Sequence, residues 1–149
     1  MAAGAVTQDT PRTRSFKLLE AATATNGVPS LVTHGYAVND YLKGRIAPGE
    51  GSIMIRSTAG SGAMDVTIRI WGYTAALAVW TPLGTHATAT SKGVINEGNA
   101  MGEPTTDVLR HAEPIYQFGD FDRLYAEVVS INGTSTAVSV WIVAQMEGV

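Results

Sequence analysis

Cysteine is absent from this chain. That excludes an internal disulfide, thiolate catalysis and cysteine-ligated zinc, and it fits assembly in a reducing cytosol. Charge is sparse as well. Asp, Glu, Lys and Arg make up 15% of 149 residues, against about 25% in an average globular domain. With 10 basic and 13 acidic residues the net charge is −3, and a nucleic-acid binder usually shows the opposite sign in a basic patch. No apolar run approaches the ~20 residues of a membrane-spanning helix. The opening MAAGAVTQDTPRTRS has no basic stretch followed by a long apolar one, so it does not read as a secretory signal.

Motifs for chemistry are missing too. There is no GxSxG, no SxxK, no GxGxxG after a strand and no GxxxxGK[ST], which removes the common nucleophile and phosphate-binding patterns. His34, His86 and His111 fall in no HxH, HxxxH or HExxH spacing and read as surface or hydrogen-bonded histidines. Acids are densest at Glu113, Asp120 and Asp122, with Asp107 nearby. A calcium loop needs six to eight oxygens in a tight run, and these residues read instead as rim charges or turn starts. Asn132-Gly133-Thr134 matches a glycosylation acceptor, but a turn explains it as well. No cofactor and no metal are expected.

What the chain does have is Thr, Ser, Gly and apolar residues at alternate positions. That mixture favours strands over helices. A chain of this length can bury about 70% of its unfolded surface, so one domain with a real core is expected. Residues 121–145, FDRLYAEVVSINGTSTAVSVWIVAQ, carry the strongest signal. Leu124, Ala126 and Val128 alternate with Tyr125, Glu127 and Val129. Val138, Val140, Ile142 and Ala144 alternate with Ser139, Trp141, Val143 and Gln145. Asn132-Gly133 between them suits the positive φ of a tight turn, which predicts a β-hairpin. One face of each arm is apolar. Tyr125, Trp141 and Val143 are then surplus on the other face, and a loop or another chain must cover them.

The rest follows the same rule. Residues 16–22 predict a strand, and residues 23–27 a turn. Residues 31–38 predict a strand with a possible bulge at Gly35. Residues 39–46 could hold one helical turn that Gly44 stops. Ile53 and Ile55, then Val66, Ile68 and Ile70, alternate cleanly with polar neighbours and predict a second hairpin. Gly72 suggests a bend, and residues 75–80 a further short strand. Residues 85–120 are the least regular. They are expected to contain brief strands at Val94-Ile95 and Val108-Leu109 and to fold over the surplus aromatic face. Trp71, Trp80 and Trp141 fall at strand positions and read as packing residues. Tyr73, Tyr116 and Phe118 fall in connections. The total is eight or nine strands and no helix, which predicts an all-β fold: an antiparallel β-sandwich of jelly-roll type. Residues 1–15 read as a short N-terminal arm, flexible or partner-bound, and residues 16–149 as one sandwich domain. Arg12 and Arg14 suit acidic or carbonyl groups on a partner. With Tyr125 and Trp141 they are the candidate interface residues.

RIWGYTAALAVWTPLG (residues 69–84) and RHAEPIYQFGDFDRLYAEVVSINGTSTAVSVWIVA (residues 110–144) together resemble small jelly-roll structural proteins of tailed bacteriophage virions. The shared features are a Trp-containing strand ending in a WxPxG-like turn, a His-Glu-Pro-like connection and a closing FDRxYxEV…GT…V hairpin. The resemblance covers roughly the second half of the chain. It implies a non-enzymatic virion component, such as a capsid decoration (cement) protein that binds the major capsid protein or other virion subunits. It also implies a trimer and assembly in the host cytoplasm, and it offers no catalytic residues to transfer. Composition agrees, with no sign of nucleic-acid or membrane binding. A carbohydrate- or small-ligand-binding sandwich, stacking sugars on exposed aromatics, is the second reading, and a small enzyme the third.

Overall fold

A computed structural model describes residues 3–4, 6–9, 13–37, 46–59, 65–87, 95–96, 107–116, 121–132 and 135–146. Ten strands run along them: β1 (Val6–Asp9), β2 (Thr13–Ala22), β3 (Tyr36–Ala37), β4 (Ile46–Ala59), β5 (Val66–Thr74), β6 (Val79–Ala87), β7 (Ile95–Asn96), β8 (Asp107–Tyr116), β9 (Arg123–Ile131) and β10 (Ser135–Met146). They form two antiparallel sheets. One has the order β1-β2-β10-β4-β8-β7, the other β3-β9-β5-β6. Without the edge strands β1 and β7, this is the eight-strand order of a jelly roll. The chain steps from sheet to sheet along β2, β3, β4 and β5, turns back on itself from β5 to β6, and again changes sheet from β8 to β9 to β10.

The alternation in the sequence sets which side chains meet. The larger sheet sends Phe16, Leu18, Ile53, Ile55, Val138, Val140 and Ile142 inward. The smaller sheet answers with Val66, Ile68, Ile70, Leu124, Ala126 and Val128. All are almost fully buried, and each large apolar side chain so enclosed contributes on the order of 1.5–3 kcal/mol. Both apolar faces expected of the closing strands point into this core.

Their pairing, however, is not that of a hairpin. β9 pairs with β3 and β5, while β10 pairs with β2 and β4. The chain therefore passes from one sheet to the other between β9 and β10; Gly133 lies outside the described residues. Asn132 is tied at its amide to the Asp65 carbonyl at 2.8 Å. The same correction applies to β4 and β5, expected as a second hairpin and found in opposite sheets. Period two encodes which side of a strand is apolar. It is satisfied equally by a neighbour in the sheet or by a strand across the core.

Several local expectations also change. Residues 31–34 are not strand: Val32–His34 forms a 3-10 turn, and the strand that follows is only Tyr36–Ala37. Residues 39–45 lie outside the described residues. Residues 75–78 form the β5–β6 turn, not a strand, with Ala78 at φ 54°. No glycine marks it. Asp122 holds it instead, accepting from the Ala75 amide at 2.8 Å while its own amide donates to Tyr73 O at 2.9 Å. β6 then runs through residues 81–84, which were expected to end it. Pro82 is tolerated because β6 is the edge of its sheet, with a bulge opposite the Ile70/Trp71 step. Residues 85–120 contain strands, as expected, but one is long. β8 pairs with β4 over ten residues, from Asp107↔Ala59 to Tyr116↔Glu50. Tyr73 and Tyr116 lie in strands rather than connections; Phe118 lies outside the described residues. β2 begins at Thr13, three residues before Phe16, and Val6–Asp9 pairs along it.

β5 continues through Gly72 to Thr74. Gly72 faces the core side, and a Cβ there would lie 2.5–2.8 Å from the Phe121 ring. The missing side chain is the space that Phe121 occupies. Gly72→Ala is expected to destabilise the fold by about 1–3 kcal/mol through overpacking, measured by urea denaturation. Phe121→Leu in the same chain should recover part of the loss; no recovery would place the strain elsewhere.

Candidate functional site

The outer face of the smaller sheet is built from the polar half of the alternation. Cross-strand register sets three rows: Arg123, Tyr73 and Trp80; Tyr125, Trp71 and Pro82; Glu127, Arg69 and Thr85. Aromatic rings cross these rows. Tyr73 and Trp80 lie 5.1 Å apart between centroids, and Trp80 and Tyr125 meet edge to face at 6.1 Å, within the range of favourable ring pairs. The Trp71 Nε1–H donates to Glu127 Oε1 at 2.9 Å. Arg69 stands 3.7 Å from the same oxygen and donates from Nε to Thr85 Oγ1 at 3.1 Å. Glu127 is thus buried with its charge partnered, as burial of a carboxylate requires.

A strap, residues 23–35, crosses this face on its way from β2 to β3. It is held by side chains more than by a ladder. β3 covers β9 only at Leu124 and Arg123. Beyond that point the Asn26 amide takes over the open edge of β9. Its Nδ2 donates to Ala126 O at 3.1 Å, and its Oδ1 accepts from the Val128 amide at 2.7 Å. One side chain thereby replaces a peptide group of a neighbouring strand. Tyr125 fixes the next point, its hydroxyl donating to Gly27 O at 2.9 Å and Asn26 O at 3.3 Å. Burial raises the Tyr125 phenol above its ordinary pKa, with Glu127 and then Tyr36 adding to the effect, so it remains a donor at neutral pH. Further on, His34 Nδ1 accepts from the amides of Ser30 and Leu31 at 3.1 and 3.3 Å. The His34 ring lies 6.2 Å from that of Tyr125. The strap ends where Gly35 passes the edge of Trp80, so closely that a Cβ would sit 2.3 Å from the ring. Arg123 donates to the Gly35 carbonyl.

The expected interface residues separate in space. Tyr125 is on the outer face of the smaller sheet, and Trp141 on the outer face of the larger one, behind the opposite side of the core. One flat partner surface cannot touch both. The strap covers Tyr125; most of residues 85–120, expected to fold over this face, lie outside the described residues. Trp141 is half-buried and faces Lys17 directly across the β10–β2 ladder, with Lys17 Nζ 4.8 Å from its ring centroid. Lys17 also approaches Glu20 at 3.7 Å. Arg12 lies outside the described residues. The Arg14 backbone pairs with Asp9 on one side and Ala144 on the other.

The histidines and acids follow similar lines. His34 serves the strap, and His86 is buried on β6. His111 lies on β8 opposite Ile55. Asp122 caps a turn, while Asp120 lies outside the described residues. Among the described residues, no three His, Asp or Glu side chains converge as a metal-ligand set. Asn26 was read only as part of a turn and Asp122 only as a rim charge, because their partners lie 100 and 47 residues away along the chain. Asn26-Gly27 looked like ordinary turn chemistry. Set beside known proteins, the chain matches no family model, and no curated protein matches it in sequence.

Two outcomes are expected here. Asn26→Ala removes both edge bonds and should cost about 1–3 kcal/mol, with faster amide exchange at Val128; unchanged exchange there would show that the edge is closed by another group. Trp141→Ala would cost on the order of 3–5 kcal/mol for a fully buried ring. Half-buried under Lys17, it should cost about 2 kcal/mol instead, read from urea midpoints. A value near zero would make it an open binding platform.

Proposed function

We propose that this chain is a non-enzymatic structural subunit of a virion, a capsid decoration or cement protein that binds the major capsid protein and stabilises the head. The observation that carries the reading is where the exposed apolar side chains sit. Leu77 (71% exposed), Leu31 (60%), Val28 (57%), Val79 (44%) and Val32 (43%) come from the strap and from the β5–β6 turn and the start of β6. Along the chain these segments flank the contact of Trp80 with Gly35. The rigid sheets lie behind them. Apolar side chains displayed on connections above a stiff scaffold suit binding to another protein surface. The resemblance to phage jelly-roll proteins supports the same class, since its residues fall on β5, β6, β8, β9 and β10. A closed cyclic trimer would bury such side chains between identical copies, leaving the remaining faces for capsid subunits. Nucleic acid and membrane are not partners in this reading. The protein would assemble in the host cytoplasm and reside in the virion.

The native mass over a concentration series tests this first. A stable species at three times 15.7 kDa is expected, and Leu77→Asp should shift it toward monomer or abolish binding to capsid shells. A strict monomer that neither binds shells nor responds to Leu77→Asp would overturn the reading. Weight would then move to the ligand-binding sandwich, with Tyr73, Trp80 and Tyr125 as its stacking row, and a glycan screen would follow.

A further inference from the structure

His34 closes the strap's own turn, while Asn26, Tyr125 and, at Gly35, Arg123 tie the strap to β9. His34 Nδ1 accepts two backbone N–H groups, from Ser30 and Leu31. It can do so only when that nitrogen carries no proton. In the imidazolium form both ring nitrogens carry hydrogen, so no flip of the ring restores an acceptor. The two amides would then face a cation. The bonds from Asn26 to Ala126 O and Val128 N, and from Tyr125 to Gly27 O, involve an amide and a phenol. Neither changes state on acidification.

We propose that the strap holds an acid-sensitive clasp: protonation of His34 opens the turn of residues 30–34, which carries Leu31 and Val32, while Asn26 keeps the strap's beginning on β9. The groups facing His34 favour this. From its own turn come the two amides. From β9 come the Tyr125 phenol, neutral at these pH values, and Arg123, whose guanidinium is engaged with the Gly35 carbonyl next to His34. Glu127, on the same face, is already held by Trp71 and Arg69. Among the described residues no carboxylate pairs with His34, so nothing there compensates the new charge in place. The 3-10 turn that remains has two backbone bonds, His34 N to Leu31 O at 3.0 Å and Gly35 N to Val32 O at 3.2 Å, and its apolar side chains already point to solvent. Opening would free Leu31 and Val32 to rearrange together, while Tyr125 stays bonded to Asn26 and Gly27. It thereby couples part of the surface assigned above to protein contact with pH.

Amide hydrogen exchange by NMR at about pH 8 and about pH 5, each corrected for the intrinsic rate, tests the clasp. The Ser30 and Leu31 amides should lose protection by about tenfold or more in acid, while the Val128 amide keeps its own. At the higher pH the His34 ring should report the tautomer with a bare Nδ1. His34→Gln, whose carbonyl oxygen does not titrate, should show no acid-dependent loss at Ser30 and Leu31, with His86 and His111 still present as internal controls. Equal protection at both pH values in the unaltered chain, a proton on Nδ1 at the higher pH, or the same acid response in His34→Gln would each overturn the proposal. Loss of protection at Val128 in step with Ser30 would do so as well, since it would mean general acid unfolding.

Discussion

Everything in this molecule depends on two apolar sheet faces being pressed together by strands that seldom neighbour their predecessor in sequence. Neither face is stable in water alone. A two-stranded ribbon has too little area to offset the entropy of ordering its chain. Only when Val66, Ile68 and Ile70 meet the layer of Ile53, Ile55, Val140 and Ile142 does burial outweigh that cost. The order of the strands matters to the fold but not to this energy. What the core requires is that its strands present a greasy side, and β5 and β10 do so by alternation, with Val66, Ile68 and Ile70 and with Val138, Val140 and Ile142 inward.

That is why strand faces were legible in the sequence and strand partners were not. Leu124, Ala126 and Val128, and Val138, Val140 and Ile142, could be assigned to the interior from spacing alone. Asn132-Gly133 then suggested a hairpin, because that dipeptide commonly closes one. But a jelly roll places consecutive strands in opposite sheets at most steps. An expectation of jelly-roll architecture and an expectation of two hairpins at β4–β5 and β9–β10 were therefore incompatible, and the architecture is the one that holds. The β5–β6 hairpin was hidden because its turn is made of alanines and leucine with no glycine. Its stability is supplied by Asp122 from the far side of the chain. β8 was hidden for a related reason. Asp107, Arg110, Glu113 and Pro114 break the apolar pattern, yet the strand has a full-length partner in β4. Pro114 is accommodated because β7 reaches only Arg110 and Leu109.

The outer face was partly legible. Surplus aromatics at Tyr125 and Trp141 were visible, as was the need for something to cover them. What covers them was not, because the answer lies in single side chains acting at a distance. Asn26 imitates a peptide group for β9, and Lys17 lies over Trp141. Neither arrangement leaves a local signature, since a side chain that completes a ladder contributed by residues a hundred positions away looks the same in the sequence as one in a solvent-facing turn. The separation of Tyr125 from Trp141 onto opposite faces follows from the same topology, and it removes any surface built from both.

The division of labour between sheets and connections bears on function. A strand in the middle of a sheet is held by a ladder on each side and by the core beneath it, so its opening requires much of the molecule to open. The strap has almost no ladder. One asparagine, one tyrosine and one arginine tie it to β9, each through a bond or two, and one histidine closes its own turn. Segments held in this way belong to the low-stability end of a protein's local unfolding spectrum, and they can change without disturbing the core. The strap is also where apolar side chains face outward. A segment both exposed in chemistry and separable in energy can exchange contacts with itself for contacts with a partner, while the sandwich keeps the geometry in which that partner must fit.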